Sequence, residues 1–386
     1  MADEENAYSF TTQATRKVTL NNLEEGGFAM YKGGRLSEVT LAYESWGVLS
    51  PAADNAIIIF CGLSPSAHAA SSQADPSPGW WEYMVGPGKA IDTNRFFVVC
   101  VNSLGGCYGS TGPGSINPET GKKYGAEFPD VTVEDIAHAG FLLMRELGVE
   151  RLYAAVGSSM GGMASISYAM QFPGHVNYLI AISAAAHALP FTIALRSLQR
   201  EIIRSDPAWK NGQYEKGKEP LEGMKLARKL GLVSYRAADE WNAKFDRAKL
   251  SEDQLSGKPF QHTFEIENYL EYNAQKFIHS FDANSYQYLS RAMDWFDISE
   301  HGGSIDVGLS KINVNKALIV GVTTDILFPM VQQKEIADTL KRTGTDVEYV
   351  EIDSVNGHDA FLVDDEHFSP VVAQFLAGCS QGLNFT

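Results

Sequence analysis

The chain has 386 residues and a formal net charge of −16 at neutral pH. This length is enough for a large core in one or two domains, and the acidic balance argues against nucleic acid or an anionic membrane surface as a partner. An anionic substrate would therefore need a local cluster of Arg or Lys.

The sequence predicts a cytoplasmic protein with no membrane anchor. Residues 1–6 are acidic and polar and lack the basic and apolar regions of a signal peptide. No apolar run approaches the roughly 18 residues that a membrane span requires. Cys61 and Cys100 fall in apolar, strand-like runs, so we expect them to pack as small hydrophobic side chains in a reducing compartment. We expect no metal site and no bound cofactor.

Apolar runs in the first half predict strands that alternate, from the third onward, with helices. One helix is expected to open at Thr132, where Asp135 completes an imperfect capping box, and to run to Leu147 before Gly148. This alternation predicts an α/β protein with a mostly parallel sheet covered on both faces. The strand-like runs are residues 39–43, 56–60, 96–101, 152–156 and 178–182.

A Gly-x-Ser-x-Gly pattern, formed by Gly157, Ser159 and Gly161, follows the fourth of these runs. Between a strand and a helix this pattern is the nucleophile elbow, which holds a serine on a sharp turn and needs glycines to avoid collisions. The pattern alone also occurs by chance, so its context has to support it. Ser159 is the predicted nucleophile, and an acid and then a histidine must follow it along the chain.

Helical patterns replace the strand signals between about residues 186 and 306. We interpret this segment as a helical lid inserted into an α/β-hydrolase core formed by residues 1–185 and 307–386. Such a lid would exclude water and shape a substrate tunnel. The predicted lid helices are residues 190–205, 221–230, 237–248, 264–281 and 285–296.

The acid and the histidine are found in the required order. Strand-like runs at residues 316–320 and 347–352 are followed by Asp325 and His358, respectively. His358 would take the proton from Ser159, and Asp325 would orient His358 and stabilise its imidazolium form. A lone Asp is usually a turn or cap residue and a lone His is usually structural, but the three together favour a catalytic triad.

A serine nucleophile that attacks a carbonyl group also needs an oxyanion hole, usually two backbone N–H groups directed at the tetrahedral oxygen. In an elbow fold one donor is the residue after the nucleophile, here Met160. The other comes from the loop after an early strand, and we predict the N–H of Leu63.

Six segments, spread over nearly the whole chain, carry a family resemblance. They are residues 41–47, 79–81, 86–93, 102–105, 109–113 and 357–361. Together they resemble the homoserine O-acyltransferase branch of the α/β-hydrolase fold, from about residue 28 to residue 376. The resemblance implies acyl transfer from an acyl-coenzyme A (acyl-CoA) to the hydroxyl of a small amino acid, through an acyl-Ser159 intermediate and commonly in a homodimer.

The chain departs from the homoserine pattern after the strand at residues 56–60. Homoserine enzymes typically carry a His-Ala-Leu-Ser-Gly type run there, whereas this chain has a different loop, which we name the specificity loop. This loop and residues 187–201 and 288–297 resemble serine-acylating members: the serine O-succinyltransferases of cysteine biosynthesis and a serine O-acetyltransferase of cycloserine biosynthesis. The resemblance implies L-serine as the acceptor. The specificity loop consists of Gly62, Leu63, Ser64 and Pro65.

A zwitterionic acceptor needs a cation for its carboxylate and an anion for its ammonium. Arg196, Arg200 and Arg204 recur every four residues and therefore share a helix face, and Arg binds carboxylates in a bidentate geometry. The resemblance implies that Arg200 binds the acceptor carboxylate and that Asp359 binds the ammonium. Arg196 is a candidate for the distal carboxylate of a succinyl group or a coenzyme A phosphate. The alternative for this stripe is a solvated face, which suits Arg204 best.

These observations favour an acyl-CoA-dependent serine O-acyltransferase. Succinyl-CoA is favoured over acetyl-CoA as donor, because Arg196 offers a partner for a carboxylate. The first alternative is a homoserine O-acetyl- or O-succinyltransferase of methionine biosynthesis. The second is a lid-bearing esterase or thioesterase, in which Arg200 and Asp359 would have no role. The intact triad argues against a non-catalytic binding protein.

Overall fold

The structure is a computed structural model that describes residues 11–21, 23 and 26–379. The acidic segment at residues 1–6 and the last seven residues of the predicted core, 380–386, lie outside the described residues. No helix within the described ranges is long and apolar enough to cross a membrane.

The main sheet contains eight strands within the described residues, in the order β1-β2-β4-β3-β5-β6-β7-β8. The strands are β1 (Arg16–Thr19), β2 (Thr40–Trp46), β3 (Ala56–Phe60), β4 (Phe97–Val101), β5 (Leu152–Ser158), β6 (Val176–Ile182), β7 (Lys316–Val322) and β8 (Asp346–Ile352). β2 is antiparallel to its neighbours β1 and β4, and the remaining pairs are parallel. The predicted mostly parallel sheet is confirmed.

Short elements complete the strand list. Pairs of two-residue strands join Phe28–Ala29 to Arg35–Leu36, Val85–Gly86 to Ile91–Asp92, and Ile116–Asn117 to Lys122–Lys123. Of the main strands, only β1 was not predicted. Its four residues include two basic side chains and are mostly exposed, so it has no apolar run.

The helices lie between and after these strands. They are α1 (Val133–Glu146), α2 (Met160–Gln171), α3 (Pro190–Ser205), α4 (Leu221–Tyr235), α5 (Ala238–Phe245), α6 (Glu265–Phe277), α7 (Ala283–Trp295), α8 (Ile305–Leu309), α9 (Met330–Arg342), α10 (Ala360–Val363) and α11 (Asp365–Cys379). Short 3-10 turns lie at Gly125–Glu127, Pro207–Gly212, Glu252–Gln254, Ile298–His301 and Gly357–Asp359.

The predicted start of α1 is confirmed by its cap. Thr132 Oγ1 accepts a hydrogen bond from the N–H of Asp135 at 3.3 Å, and the Asp135 carboxylate accepts one from the N–H of Thr132 at 2.8 Å. The two groups satisfy donors that the first turn of a helix leaves unpaired.

The sheet is buried on both faces, which explains why its strands are apolar throughout. In β3, Ile58 and Phe60 belong to one hydrophobic cluster, whereas Ile57 and Ile59 belong to the cluster on the opposite face, with Phe368 of α11. A strand covered on both sides has no polar alternation, so it reads as a continuous apolar run.

The segment between β6 and β7 is helical, with α3 to α8 following one another. The five predicted helices of this segment are present, and α3 has the predicted bounds. The division into a core of residues 1–185 and 307–386 and a lid of residues 186–306 stays a prediction.

Candidate active site

Ser159 lies on a strained turn between β5 and α2. Its φ and ψ angles are 56° and −126°, which residues with side chains rarely adopt. A Cβ on Gly157 would lie 2.1 Å from the carbonyl oxygen of Gly161, and a Cβ on Gly161 would lie 2.1 Å from that of Phe60. Both elbow glycines are therefore required for the close approach of strand, turn and helix.

Ser159, His358 and Asp325 form one hydrogen-bonded chain. The Nε2 atom of His358 lies 2.9 Å from Ser159 Oγ, and its Nδ1 atom lies 2.7 Å from Asp325 Oδ2. All three side chains are buried. When Nδ1–H donates to the carboxylate, Nε2 is left to accept the hydroxyl proton. The three predicted residues thus lie in the arrangement of a nucleophile, its base and an orienting acid.

Backbone contacts hold the two partners of Ser159 in place. The second carboxylate oxygen of Asp325 accepts hydrogen bonds from two backbone N–H groups of its own loop, at 2.8 and 2.9 Å. Thr324 Oγ1 accepts a hydrogen bond from the N–H of Gly357 at 3.1 Å. This bond ties the loop that carries His358 to the loop that carries Asp325.

Burial and charge act on the pKa of His358 in opposite directions. Burial lowers the pKa, whereas the charge and hydrogen bond of Asp325 and the charge of Asp359 raise it, and Arg196 lowers it. The net effect raises the pKa of His358 above its ordinary value. The imidazole can act as a base only above that pKa.

A cavity lies over the triad, between the core and helices α3, α4 and α7. All four residues of the specificity loop line it. The arginine, histidine and acidic side chains that line it are Arg196, Arg228, His358 and Asp359. Both signs of charge are therefore present beside the nucleophile, as a zwitterionic ligand requires.

The two predicted oxyanion-hole residues are both next to this cavity. Met160 is the first residue of α2, where a backbone N–H has no carbonyl partner within the helix. Leu63 lines the cavity, and its N–H makes no hydrogen bond to any described residue. The hydroxyl of Tyr108 donates to the carbonyl of Ser64 at 3.2 Å and so fixes the same loop.

Arg200, the predicted ligand of the acceptor carboxylate, is not among the residues that line the cavity. Its guanidinium bonds to Asp294 of α7 at 2.6 Å and to Ser290 at 3.3 Å, and it lines a separate cleft. Arg196, one turn earlier, lines the cavity and bonds to the same carboxylate at 2.6 Å. The two arginines share a face, but only Arg196 reaches the site. The assignment of the acceptor carboxylate to Arg200 stays a prediction, and the position of Arg200 outside this cavity does not favour it.

Arg228 is a cation in the cavity that the sequence analysis did not single out. Its buried Nε has no hydrogen-bond partner within the described ranges, and its guanidinium lies 4.4 Å from the centre of the Phe277 ring. A buried donor without a partner is costly unless a ligand supplies the acceptor. Lys225 and Lys229 of the same helix pair with Glu271 instead. Because three basic residues lie close together on this helix, the sequence alone does not indicate that Arg228 is the one that faces the cavity.

Asp359 places a carboxylate beside His358. Its Oδ2 lies 3.2 Å from Nε of Arg236. Burial raises the pKa of Asp359, whereas the charges of Arg236, His358 and Arg228 lower it, and the net direction is upward. Arg228 and Asp359 both line this cavity, so the cation and the carboxylate face the same space beside His358.

The described part of the chain holds no group of three or more His, Cys, Asp or Glu side chains suited to a metal ion. The cysteines at 61 and 100 are buried and free, with their Sγ atoms 3.5 Å apart. Their packing as small side chains agrees with the prediction for these two residues.

Comparison with known proteins identifies the family of this chain. A family model described as the alpha/beta hydrolase fold matches residues 56–365. The serine O-succinyltransferase of Litchfieldella anticariensis is 55% identical over 356 residues, which cover 92% of this chain and 97% of that protein. The serine O-succinyltransferase of Frateuria aurantia is 52% identical, covering 90% and 96%.

The chain belongs to the serine O-succinyltransferase family of the α/β-hydrolase fold. The predicted family, fold and acyltransferase class are confirmed by these matches.

Solved structures give the same fold with two different chemistries. The homoserine O-acetyltransferase from Bacillus anthracis aligns with a TM-score of 0.84 at 29% identity, covering 95% of this chain and 98% of that one. Esterase E22 aligns with a TM-score of 0.83 at 31% identity, covering 94% and 100%. Backbone similarity therefore does not separate transfer to an amino acid from hydrolysis, and residues of the site have to decide between them.

Proposed function

We propose that the chain is a serine O-succinyltransferase, which converts succinyl-CoA and L-serine to O-succinyl-L-serine and coenzyme A through a covalent acyl-Ser159. One observation carries the proposal: a single cavity brings Arg228 and Asp359 together beside the hydrogen-bonded triad. Two relatives that are more than 50% identical to this chain are named serine O-succinyltransferases. Their names support L-serine as the acceptor and a succinyl group as the acyl group.

The first half-reaction forms the acyl-enzyme. Ser159 Oγ attacks the thioester carbonyl while its proton passes to Nε2 of His358. The N–H groups of Leu63 and Met160 stabilise the negative charge that develops on the carbonyl oxygen. The carbon–sulfur bond then breaks, and the departing thiolate takes the proton from His358. Coenzyme A leaves as the free thiol, and the acyl group remains on Ser159.

The second half-reaction transfers the acyl group to the acceptor. Arg228 binds the carboxylate of L-serine and Asp359 binds its ammonium, so that the side-chain hydroxyl faces the acyl-Ser159 carbonyl. His358 takes the hydroxyl proton during the attack and returns a proton to Ser159 Oγ as the ester bond breaks. An esterase has no use for this pair of opposite charges, and the pair therefore favours transfer over hydrolysis.

Arg196 supports the choice of donor. It lies in the cavity, with its Nε bonded to Asp294 and its Nη2 bonded to Thr192 at 3.3 Å. Its Nη1 has no partner among the described residues, so it is available to the distal carboxylate of a succinyl group. An acetyl group has no atom at that place.

We further propose a cytoplasmic homodimer that needs no bound cofactor, with acyl-CoA as a co-substrate. Exposed apolar side chains support a second copy as the partner. Phe191 and Leu198 on α3, and Leu226 and Val233 on α4, are each seven residues apart and therefore form one stripe per helix. Analytical ultracentrifugation of the protein and of Leu226→Asp tests this, with a single monomeric species of the unmodified protein as the contradicting result.

The function is tested by four rate measurements that follow free thiol release. Succinyl-CoA and acetyl-CoA are each combined with L-serine and L-homoserine. Preference for succinyl-CoA with L-serine supports the proposal. Preference for L-homoserine would mean that the specificity loop does not set acceptor size. Equal thiol release without any acceptor would indicate a thioesterase.

A further inference from the structure

Asp294 joins the two arginines that the helix pattern placed on one face of α3. Its Oδ1 accepts from Nε of Arg196 and its Oδ2 accepts from Nη2 of Arg200, both at 2.6 Å. The side chain of Asp294 is 7% exposed, and those of the two arginines are 8% and 11% exposed. One buried carboxylate therefore serves two buried cations.

The contact joins one face of α3 to one face of α7 through side chains with the same spacing. Arg196 and Arg200 are four residues apart on α3, and Ser290 and Asp294 are four residues apart on α7. Nη1 of Arg200 donates to Ser290 Oγ at 3.3 Å, so Arg200 is held at both ends of its guanidinium. This spacing places successive turns of one helix opposite successive turns of the other.

The bonding pattern decides which edge of Arg196 faces the cavity. Asp294 takes the Nε side, and Thr192 of the same helix takes Nη2. Only Nη1 is left for a ligand within the described part of the chain. A planar guanidinium that is held on one side presents the opposite side in a fixed direction.

The charges of the cluster do not cancel. Two arginines and one aspartate leave one positive charge, in a place where water is largely excluded. Arg200 shares the carboxylate with Arg196, and therefore prevents Asp294 from neutralising Arg196 completely. A buried, unbalanced cation favours a ligand that brings a negative charge.

We propose that Asp294 is a positioning residue for donor selection: with Arg200 as the second cation, it holds Arg196 so that the cavity accepts an acyl group ending in a carboxylate. This inference rests on the proposed function, because it concerns how a succinyl group is chosen over an acetyl group. It assigns Arg200 to the donor side of the reaction and not to the acceptor.

The same contacts would also exist if Asp294 only joined α3 to α7. A structural role would lower the rates with both donors equally, since both use the same triad. A positioning role lowers the rate with succinyl-CoA alone. The ratio of kcat/KM for succinyl-CoA to that for acetyl-CoA, at saturating L-serine, therefore separates the two roles, and the acetyl-CoA rate reports on the fold and the triad.

The experiment compares Asp294→Asn, Arg200→Gln and the control Arg204→Gln with the unmodified protein. Arg204 follows Arg200 by one turn on the same face, but it is exposed and bonds only to Gln287 among the described residues. We expect the donor ratio to fall about tenfold in Asp294→Asn and several-fold in Arg200→Gln, with KM for L-serine unchanged in both. Arg204→Gln should keep the unmodified ratio.

Each outcome decides the matter. An unchanged ratio in a folded Asp294→Asn overturns the inference, as does a rise in KM for L-serine in Arg200→Gln without a change in the ratio. If Asp294→Asn does not fold, Arg200→Gln carries the test alone, and its unchanged ratio has the same meaning. The unmodified protein reports separately on the proposed function. If it prefers acetyl-CoA, the donor assignment fails, and the inference fails with it.

Discussion

Gly357 lies directly against the carbonyl oxygen of Tyr235, and a Cβ at Gly357 would be 2.8 Å from it. Gly357 precedes His358, and Tyr235 is the last residue of α4, the helix that carries Arg228. The loop that carries His358, the proposed base, therefore packs tightly against the end of the helix that carries Arg228, the proposed ligand of the acceptor carboxylate. Any side chain at position 357 would push the base and α4 apart.

This contact predicts the effect of Gly357→Ala. The residue has a φ of 64°, so alanine there costs about 1 kcal/mol of backbone strain in addition to the collision. We expect kcat to fall about tenfold or more as His358 moves from Ser159, measured with succinyl-CoA and L-serine. Gly121→Ala is the matched control, since Gly121 has a φ of 69° and nothing within 4 Å of a Cβ. Equal activity of the two variants would show that the contact does not position His358.

Removal of the nucleophile gives a direct test of the covalent intermediate. Ser159→Ala should abolish thiol release from succinyl-CoA and leave the melting temperature nearly unchanged, because only one hydroxyl is lost from a folded turn. Intact-mass measurement of the unmodified protein mixed with succinyl-CoA, without acceptor, should show one added succinyl group, and peptide mapping should locate it at Ser159. Acylation at another residue would contradict the triad.

Residues that act through local contacts could be predicted from the sequence. The elbow glycines and the apolar strands follow from short-range rules. Asp325 and His358 lie far from Ser159 along the chain and follow from the fixed order of the triad residues instead. β1 could not be predicted, because it lies at the sheet edge with Arg16 and Lys17 exposed to solvent. An edge strand has no need for an apolar run.

The arginines proposed to bind substrate could not be assigned from the sequence, because their positions depend on long-range packing. The periodicity of α3 correctly places Arg196 and Arg200 on one face, but it does not say that this face meets Asp294, almost a hundred residues further along the chain. Arg228 shows the reverse case. It sits among other basic residues on α4, and only the packing of that helix separates it from Lys225 and Lys229.

The raised pKa of His358 predicts the acid side of the pH profile. The imidazole must be neutral to accept the proton of Ser159, so kcat/KM should rise with pH through a pKa above the ordinary 6.5. The negative charge of Asp359 contributes to the raised pKa of His358. Asp359→Asn should therefore shift the acid side of the profile to lower pH, because it removes a charge that stabilises the imidazolium.

The same variant should raise KM for L-serine about tenfold, since the ammonium loses its counter-charge. The pH profile of kcat/KM for succinyl-CoA, recorded from pH 5 to 9 with the unmodified protein and with Asp359→Asn, reports the effect on His358. KM for L-serine reports the effect on acceptor binding separately. An unchanged profile and an unchanged KM for L-serine would show that Asp359 faces neither His358 nor the acceptor. Glu366→Gln, an exposed carboxylate on α11, serves as the control.

Arg228→Gln tests the proposed acceptor site. Glutamine retains a hydrogen-bond donor but loses the charge and the bidentate geometry, so we expect KM for L-serine to rise about tenfold or more, equivalent to about 1.4 kcal/mol of binding energy or more. The rate of Ser159 acylation by succinyl-CoA, measured without acceptor in a rapid-quench experiment, should stay within about twofold. Lys229→Gln is the control, because its charge pairs with Glu271 outside the cavity. Loss of acylation in Arg228→Gln would place this arginine on the donor side, and an effect on KM for L-serine in Lys229→Gln would point to a general loss of charge in α4 as the cause.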